Sequence, residues 1–66
     1  MQYIFRKELF IGHSQHNRID YENNEFTREL ADGLDGRVMG YEVDNQGYVV
    51  SNFIVLPEWC ETVEGS

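Results

Sequence analysis

Apolar and polar positions alternate along the first eleven residues, a period that is typical of a β-strand. The odd positions from 3 to 11 are apolar except for Lys7, and the even positions mix apolar and charged side chains. Gly12 ends this pattern. The next residues, 13–24, are rich in His, Ser, Gln, Asn and Asp, a composition that favours a loop. The pattern therefore predicts a strand over residues 1–11 followed by a long loop.

The spacing of apolar residues then changes to that of a helix. Phe26, Leu30 and Leu34 recur every four residues and would form the buried stripe of this helix, with Ala31 at the edge of the stripe. The signals that would begin and end the helix are three possible N-cap residues, Asp20, Asn23 and Asn24, and two left-handed stop positions, Gly33 and Gly36.

The clearest local signal is a β-hairpin. Residues 38–43 and 48–56 flank the tetrapeptide Asp44-Asn-Gln-Gly47, which consists of turn-forming residues. Gly47 would supply the positive φ of a bulged type I turn. The second arm is apolar on both faces, as expected of a central strand or of a strand that a partner covers. Pro57 ends this arm and is suited to begin a final helical turn.

Together these elements predict one acidic domain over residues 1–66 with a small α+β fold. We expect a three-stranded antiparallel sheet with one packed helix, in the order β-α-β-β. The alternative is a mostly-β, barrel-like small sheet, which would form if the helix is only a turn. A domain of this size buries only about 60% of the surface of its unfolded chain, so some aromatic side chains should remain exposed.

The charge of the chain is strongly negative and unevenly distributed. The chain has twelve acidic and five basic residues, which gives a net charge of −7, and no basic residue follows Arg37. This balance excludes most direct nucleic-acid binders, which need a basic surface to meet phosphates. The nine aromatic residues argue against a disordered acidic tail. With one cysteine, no signal peptide and no long apolar run, we expect a soluble cytoplasmic protein without membrane contact.

The residues that could carry catalytic or metal chemistry form no convincing site. His13 and His16 have a spacing that two metal ligands could share, but the predicted loop and the absence of a second paired motif argue against a metal. Cys60 lies between Glu58 and Glu61, whose charges oppose formation of a thiolate. The sequence therefore predicts no catalytic residue, no metal and no cofactor.

Acidic and aromatic residues are the better candidates for a functional surface. Aromatic side chains supply contact area and carboxylates select the partner. The candidate acidic face consists of Glu22, Glu25, Glu29, Asp32, Asp35, Glu58, Glu61 and Glu64. The candidate aromatic contacts are Tyr41, Tyr48, Phe53 and Trp59. An acidic surface that serves only solubility is the competing interpretation.

These features predict a non-enzymatic interaction module that binds a basic surface of a partner protein and inhibits or regulates it. If that partner is a nucleic-acid-binding protein, the carboxylates would take the places of phosphates. In size, charge and lack of catalytic machinery, the chain is similar to small phage-encoded counter-defence inhibitors, including anti-CRISPR and anti-restriction proteins. This likeness is one of composition; it implies a viral protein acting in the host cytoplasm. The alternative is a structural or assembly subunit that works as a homodimer or complex component, which the doubly apolar arm suggests.

Overall fold

The computed structural model describes residues 1–64, and over this range three helices pack against a small antiparallel sheet. The elements are β1 (Gln2–Phe5), α1 (Lys7–His13), α2 (Gln15–Asn23), α3 (Glu25–Leu34), β2 (Val38–Gly40), a 3₁₀ turn (Pro57–Trp59) and β3 (Cys60–Val63). The predicted α+β class and three-stranded antiparallel sheet are confirmed, while the single predicted helix is replaced by three. None of the helices in residues 1–64 is both long enough and apolar enough to cross a bilayer.

The strand β1 lies at the centre of the sheet, between β2 and β3. Phe5 is opposite Cys60 on β3, and both side chains are buried. On the other side, the pairing of β1 with β2 is irregular between Tyr3 and Ile4. The core therefore forms where the start of the chain meets its C-terminal part. Its buried members are Phe5, Phe10, Ala31, Val49, Val55 and Cys60.

The strand predicted over residues 1–11 is wrong beyond Phe5, because a helix begins at Lys7. The backbone N–H of Lys7 donates to a carboxylate oxygen of Asp35 at 3.0 Å, so a distant side chain caps the first turn of α1. In the predicted alternation Phe10 belongs to the mixed, even-numbered face with Arg6 and Glu8, yet in the helix Phe10 is only 9% exposed. The cap comes from another part of the chain, and the local pattern therefore did not reveal it.

The loop predicted over residues 13–24 is also wrong, since most of it forms α2. Ser14 is the N-cap of this helix, and its hydroxyl accepts the backbone N–H of Asn17 at 3.1 Å. No residue of α2 is buried. Its polar composition therefore reflects a helix that lies on the surface rather than the absence of a helix.

The helix predicted around residues 25–34 is confirmed as α3, but its buried face is rotated. Asn24 is the N-cap, and its side-chain oxygen accepts the N–H of Thr27 at 3.2 Å. Ala31 is 3% exposed, whereas Phe26 is 72% exposed and Leu30 is 37% exposed, so the prediction that Phe26 and Leu30 are buried is wrong. Packing through Ala31 leaves Phe26 and part of Leu30 outside, while Leu34, the third residue of the predicted stripe, is partly buried against the core.

The predicted hairpin turn is confirmed, but its second strand is not. Gly47 has a φ of 90° and donates its N–H to the carbonyl of Asp44 at 3.1 Å. Beyond an isolated bridge between Val43 and Val49, the chain folds back, and the N–H of Val49 donates to the carbonyl of Val55 at 2.8 Å. Residues 48–56 therefore form a compact segment over the core instead of a strand.

The third strand is instead β3, which follows the predicted helical turn at Pro57. That turn is confirmed as a single 3₁₀ turn, Pro57–Trp59. Gly40 on β2 explains how the folded-back segment fits, because a Cβ there would lie 2.5 Å from the backbone oxygen of Val50. Only glycine permits this close approach.

Candidate interaction surface

The eight predicted acidic residues are all exposed, but the structure gives them different roles. Some pair with basic residues of the same chain and hold helices or strands together. Others have no such partner within residues 1–64. The acids that form ion pairs with a basic residue of another segment are Asp32, Asp35 and Glu61. The acid that forms an ion pair within one helix is Glu22.

Asp32 links all three helices. One of its carboxylate oxygens accepts the Tyr21 hydroxyl at 2.7 Å and the Lys7 ammonium at 3.2 Å. The hydrogen bond from Tyr21, followed by that from Lys7, lowers the pKa of Asp32, and the bond to Asp32 raises the pKa of Lys7. Asp32 therefore belongs to the fold, and its charge is largely balanced inside the chain.

Asp35 and Glu61 meet at the guanidinium of Arg6. Arg6 Nη1 lies 3.1 Å from a carboxylate oxygen of Glu61, and Arg6 Nε lies 3.7 Å from one of Asp35. Glu8 approaches the same guanidinium at 2.7 Å. Each of these pairs is partly exposed and contributes at most about 1 kcal/mol, and one guanidinium shared by three carboxylates leaves this cluster with a net negative charge.

Four of the predicted acids keep an unbalanced charge. No Lys or Arg nitrogen within residues 1–64 lies within 4.0 Å of the carboxylates of Glu25, Glu29, Glu58 or Glu64. Glu25 and Glu29 are one turn apart on α3, and like charges at this spacing repel each other. The acidic face predicted from the sequence is thus reduced to α3, the 3₁₀ turn and the end of β3.

Next to the acidic pair, α3 exposes an apolar pair, Phe26 and Leu30. Positions 25 and 29 form one row along a helix and positions 26 and 30 form the adjacent row. Sequence reasoning assigned both apolar residues to the core and therefore missed them as surface. Ala31 was the available signal, because a small residue on the stripe marks the side on which a helix packs most closely.

An apolar cleft separates α3 from residues 53–55. Its volume is about 70 Å³, and Leu30 of α3 and Ile54 are among the residues that line it. Ile54 is 78% exposed. Its other lining residues include Phe10 and Trp59, whose rings meet edge-on with centroids 4.8 Å apart. The result is a concave apolar surface between α3 and residues 53–55, and Glu25 and Glu29 lie on the other side of Phe26 and Leu30 from it.

No protein-family model, curated protein or solved structure matches this chain.

The four predicted aromatic contacts do not form one surface. Phe53 and the half-buried Trp59 both line the apolar cleft. Tyr48 is half-buried and lines a groove beside the Asp44–Gly47 turn, and Phe53 lines this groove as well as the cleft. Tyr41 is exposed in a third groove with Gly40. The structure thus connects Trp59 and Tyr48 through Phe53 and leaves Tyr41 apart.

The Trp59 indole N–H is buried and has no hydrogen-bond acceptor within residues 1–64. An unsatisfied buried donor is costly, because it has lost its water without gaining another partner. The Trp59 ring packs on Phe10 and meets the His13 ring edge-on, with the centroids of the Trp59 and His13 rings 6.3 Å apart. Trp59 is thus a sensitive reporter of any change in the cleft.

The side chains with reactive chemistry are dispersed or buried. Burial raises the pKa of the Cys60 thiol to about 11, so desolvation, rather than the neighbouring glutamates that the sequence suggested, keeps the thiol neutral. His13 ends α1 and His16 lies exposed on α2, which corrects their placement in a loop. Within residues 1–64, no three His, Cys, Asp or Glu side chains come together as metal ligands would.

Proposed function

We propose that this protein is a non-enzymatic interaction module that binds a basic surface of a partner protein and inhibits or regulates that partner. The observation that supports this proposal is the division of its charges. Arg6, Lys7 and Arg18 form ion pairs within the chain, and Arg28 donates to the backbone carbonyl of Glu22 at 3.4 Å. The remaining acids of α3 and the C-terminal part therefore face solvent with little compensation.

An unbalanced acidic surface attracts a basic partner over long range and raises the rate of association. The apolar cleft next to it supplies contact area that charge alone does not. When the basic surface is a nucleic-acid groove, the exposed carboxylates would act as phosphate mimics, and a nucleic acid would compete for the same site. This proposal includes action on an intracellular partner, such as that of a phage protein in its host cytoplasm.

The test is capture of partner proteins from a lysate on the immobilised chain, at low and at high salt. Screening acts over about 8–10 Å near physiological ionic strength, so salt should release partners held by the acidic surface. The double variant Glu25→Lys with Glu29→Lys should lose these partners. The matched control, Glu42→Lys with Gln15→Lys and Gln46→Lys, changes the net charge equally at exposed positions outside the acidic face and should lose less. Capture that neither salt nor the α3 variant reduces would refute the electrostatic proposal.

A structural subunit that forms a homodimer is the second candidate function. The exposed apolar side chains of Phe26 and Ile54 favour it, as does the outer edge of β3, which pairs with no strand in residues 1–64. Light scattering after size-exclusion chromatography, over a range of protein concentrations, separates the two candidates. A monomer at all concentrations would exclude the homodimer.

A further inference from the structure

An apolar strip runs along α3 into the neighbouring cleft. Phe26 and Leu30 lie one turn apart on this helix, and Leu30 also lines the cleft together with Ile54. Apolar side chains grouped around a concavity are typical of protein-binding surfaces. A volume of about 70 Å³ is far below that of small-molecule pockets, which span several hundred Å³. The cleft is therefore suited to a single apolar side chain of a larger partner.

The charges beside this strip define the chemistry of that partner. Glu25 and Glu29 border the strip on α3, and the exposed Glu58 directly precedes Trp59, which lines the cleft. Within residues 1–64, none of these three carboxylates has a Lys or Arg nitrogen within 4.0 Å. A segment that covers the strip must therefore place positive charge beside it.

We infer that the strip and cleft bind one basic amphipathic helix of the partner, an inference that rests on the function proposed above. An apolar side chain of that helix enters between Leu30 and Ile54, and Lys or Arg side chains meet Glu25 and Glu29. Four residues of a helix rise about 6 Å, so basic residues spaced by four match the two glutamates. Insertion of an amphipathic helix into a groove is a common mode of peptide recognition.

A second copy of this chain fits the strip less well than a basic helix does. Two copies of α3 that packed through Phe26 and Leu30 would bring the glutamates of one copy near those of the other. Like charges that face each other across an interface oppose association. Charge thus favours a foreign basic partner over self-association at this face.

The probes that test the inference are three synthetic helical peptides that contain no tryptophan. The first has a Leu face and a Lys face, the second has Gln in place of Leu, and the third has Glu in place of Lys. Binding is followed in ¹H–¹⁵N spectra, in which the chain's one tryptophan gives a single indole signal. The Leu/Lys peptide should bind about tenfold or more tightly than the Gln/Lys peptide. It should shift the Trp59 indole and the amides of Leu30 and Ile54, and the Leu/Glu peptide should not bind.

Two sets of variants separate the cleft from the charge. Ile54→Ser, at a largely exposed position, should remove the preference for the Leu/Lys peptide and leave the fold intact. Glu25→Lys with Glu29→Lys should weaken binding of both Lys peptides, and the control Glu42→Lys with Gln15→Lys and Gln46→Lys should weaken it less. Native-like spectra of each free variant would show that the fold is retained.

Three outcomes would overturn the inference. The first is equal binding of the Leu/Lys and Gln/Lys peptides. The second is binding of the Leu/Lys peptide that leaves the signals of Trp59, Leu30 and Ile54 unshifted. The third is self-association of the free chain that Ile54→Ser abolishes, which would assign the face to a second copy. Salt-sensitive capture of lysate partners that survives Ile54→Ser would contradict only this inference, whereas loss of all salt-sensitive binding would contradict the proposed function as well.

Discussion

Replacing Phe10 and Phe26 with alanine, one at a time, compares the same truncation at a buried and at an exposed site. Phe10 is 9% exposed, and its ring lies 4.8 Å from that of Trp59 and 6.0 Å from that of Phe5. Phe26 is 72% exposed. A fully buried phenylalanine removes about 200 Å² from water. At about 25 cal/mol per Å², burial of Phe10 contributes about 4–5 kcal/mol and burial of Phe26 about 1 kcal/mol.

The assay is urea unfolding followed by far-UV circular dichroism, because fluorescence of Trp59 would respond directly to the loss of Phe10. At roughly 0.05–0.15 kcal/mol per residue, the whole domain has a stability of about 3–10 kcal/mol. Phe10→Ala should therefore remove about half or more of this stability, and Phe10→Leu supplies a variant with a smaller loss. Phe26→Ala should unfold close to the parent protein. If Phe26→Ala costs more than Phe10→Ala, then α3 buries the stripe predicted from its spacing and the packing described here is wrong.

Three further experiments test local features. Gly47→Val should destabilise the fold by about 1 kcal/mol or more, since φ at this position is 90°. The control is Gly33→Ala, at a helical position with open space around a Cβ, which should raise stability by about 0.4–1 kcal/mol. Thermal melting of both variants measures the two effects. Native Cys60 should react with thiol reagents at neutral pH far more slowly than the urea-unfolded chain, because its pKa of about 11 keeps it protonated; equal rates would place it at the surface. The pKa of Asp32 is lowered in the folded state, so its contribution to stability is complete above the unfolded-state pKa and is lost as pH falls through the folded pKa. Asp32→Asn should therefore flatten the acid side of a plot of melting temperature against pH, and an unchanged slope would contradict the proposed links to Tyr21 and Lys7.

The candidate site was predictable from the sequence only in its composition. The excess of acids, and the lack of basic residues after Arg37, are properties of the chain itself. Which acids remain unbalanced depends on where the N-terminal bases lie after folding. Arg6 and Lys7 reach Asp35, Glu61 and Asp32, residues that are distant in sequence. A charge count along the chain cannot separate these acids from Glu25 and Glu29.

The features that the sequence determined by itself depend on contacts between near neighbours. Asn24 caps α3 through the N–H three residues later, and Gly47 closes its turn on Asp44. Pro57 begins a helical turn because its fixed φ suits that position. In each case the interacting groups lie within four residues of one another, so the local pattern contains the information.

The tertiary structure alone decided which strands pair, where α1 begins and which side of α3 is buried. β1 and β3 join the two ends of the described chain, with Phe5 opposite Cys60. The cap of α1 is Asp35, twenty-eight residues from Lys7. The burial of Ala31 instead of Phe26 follows from the side on which α3 packs on its neighbours. Such contacts form between segments that are far apart in sequence. Their free energy outweighs the local preference of residues 1–11 for a strand, which the alternation indicated. It also outweighs the local preference of α3 to bury the face with the four-residue spacing.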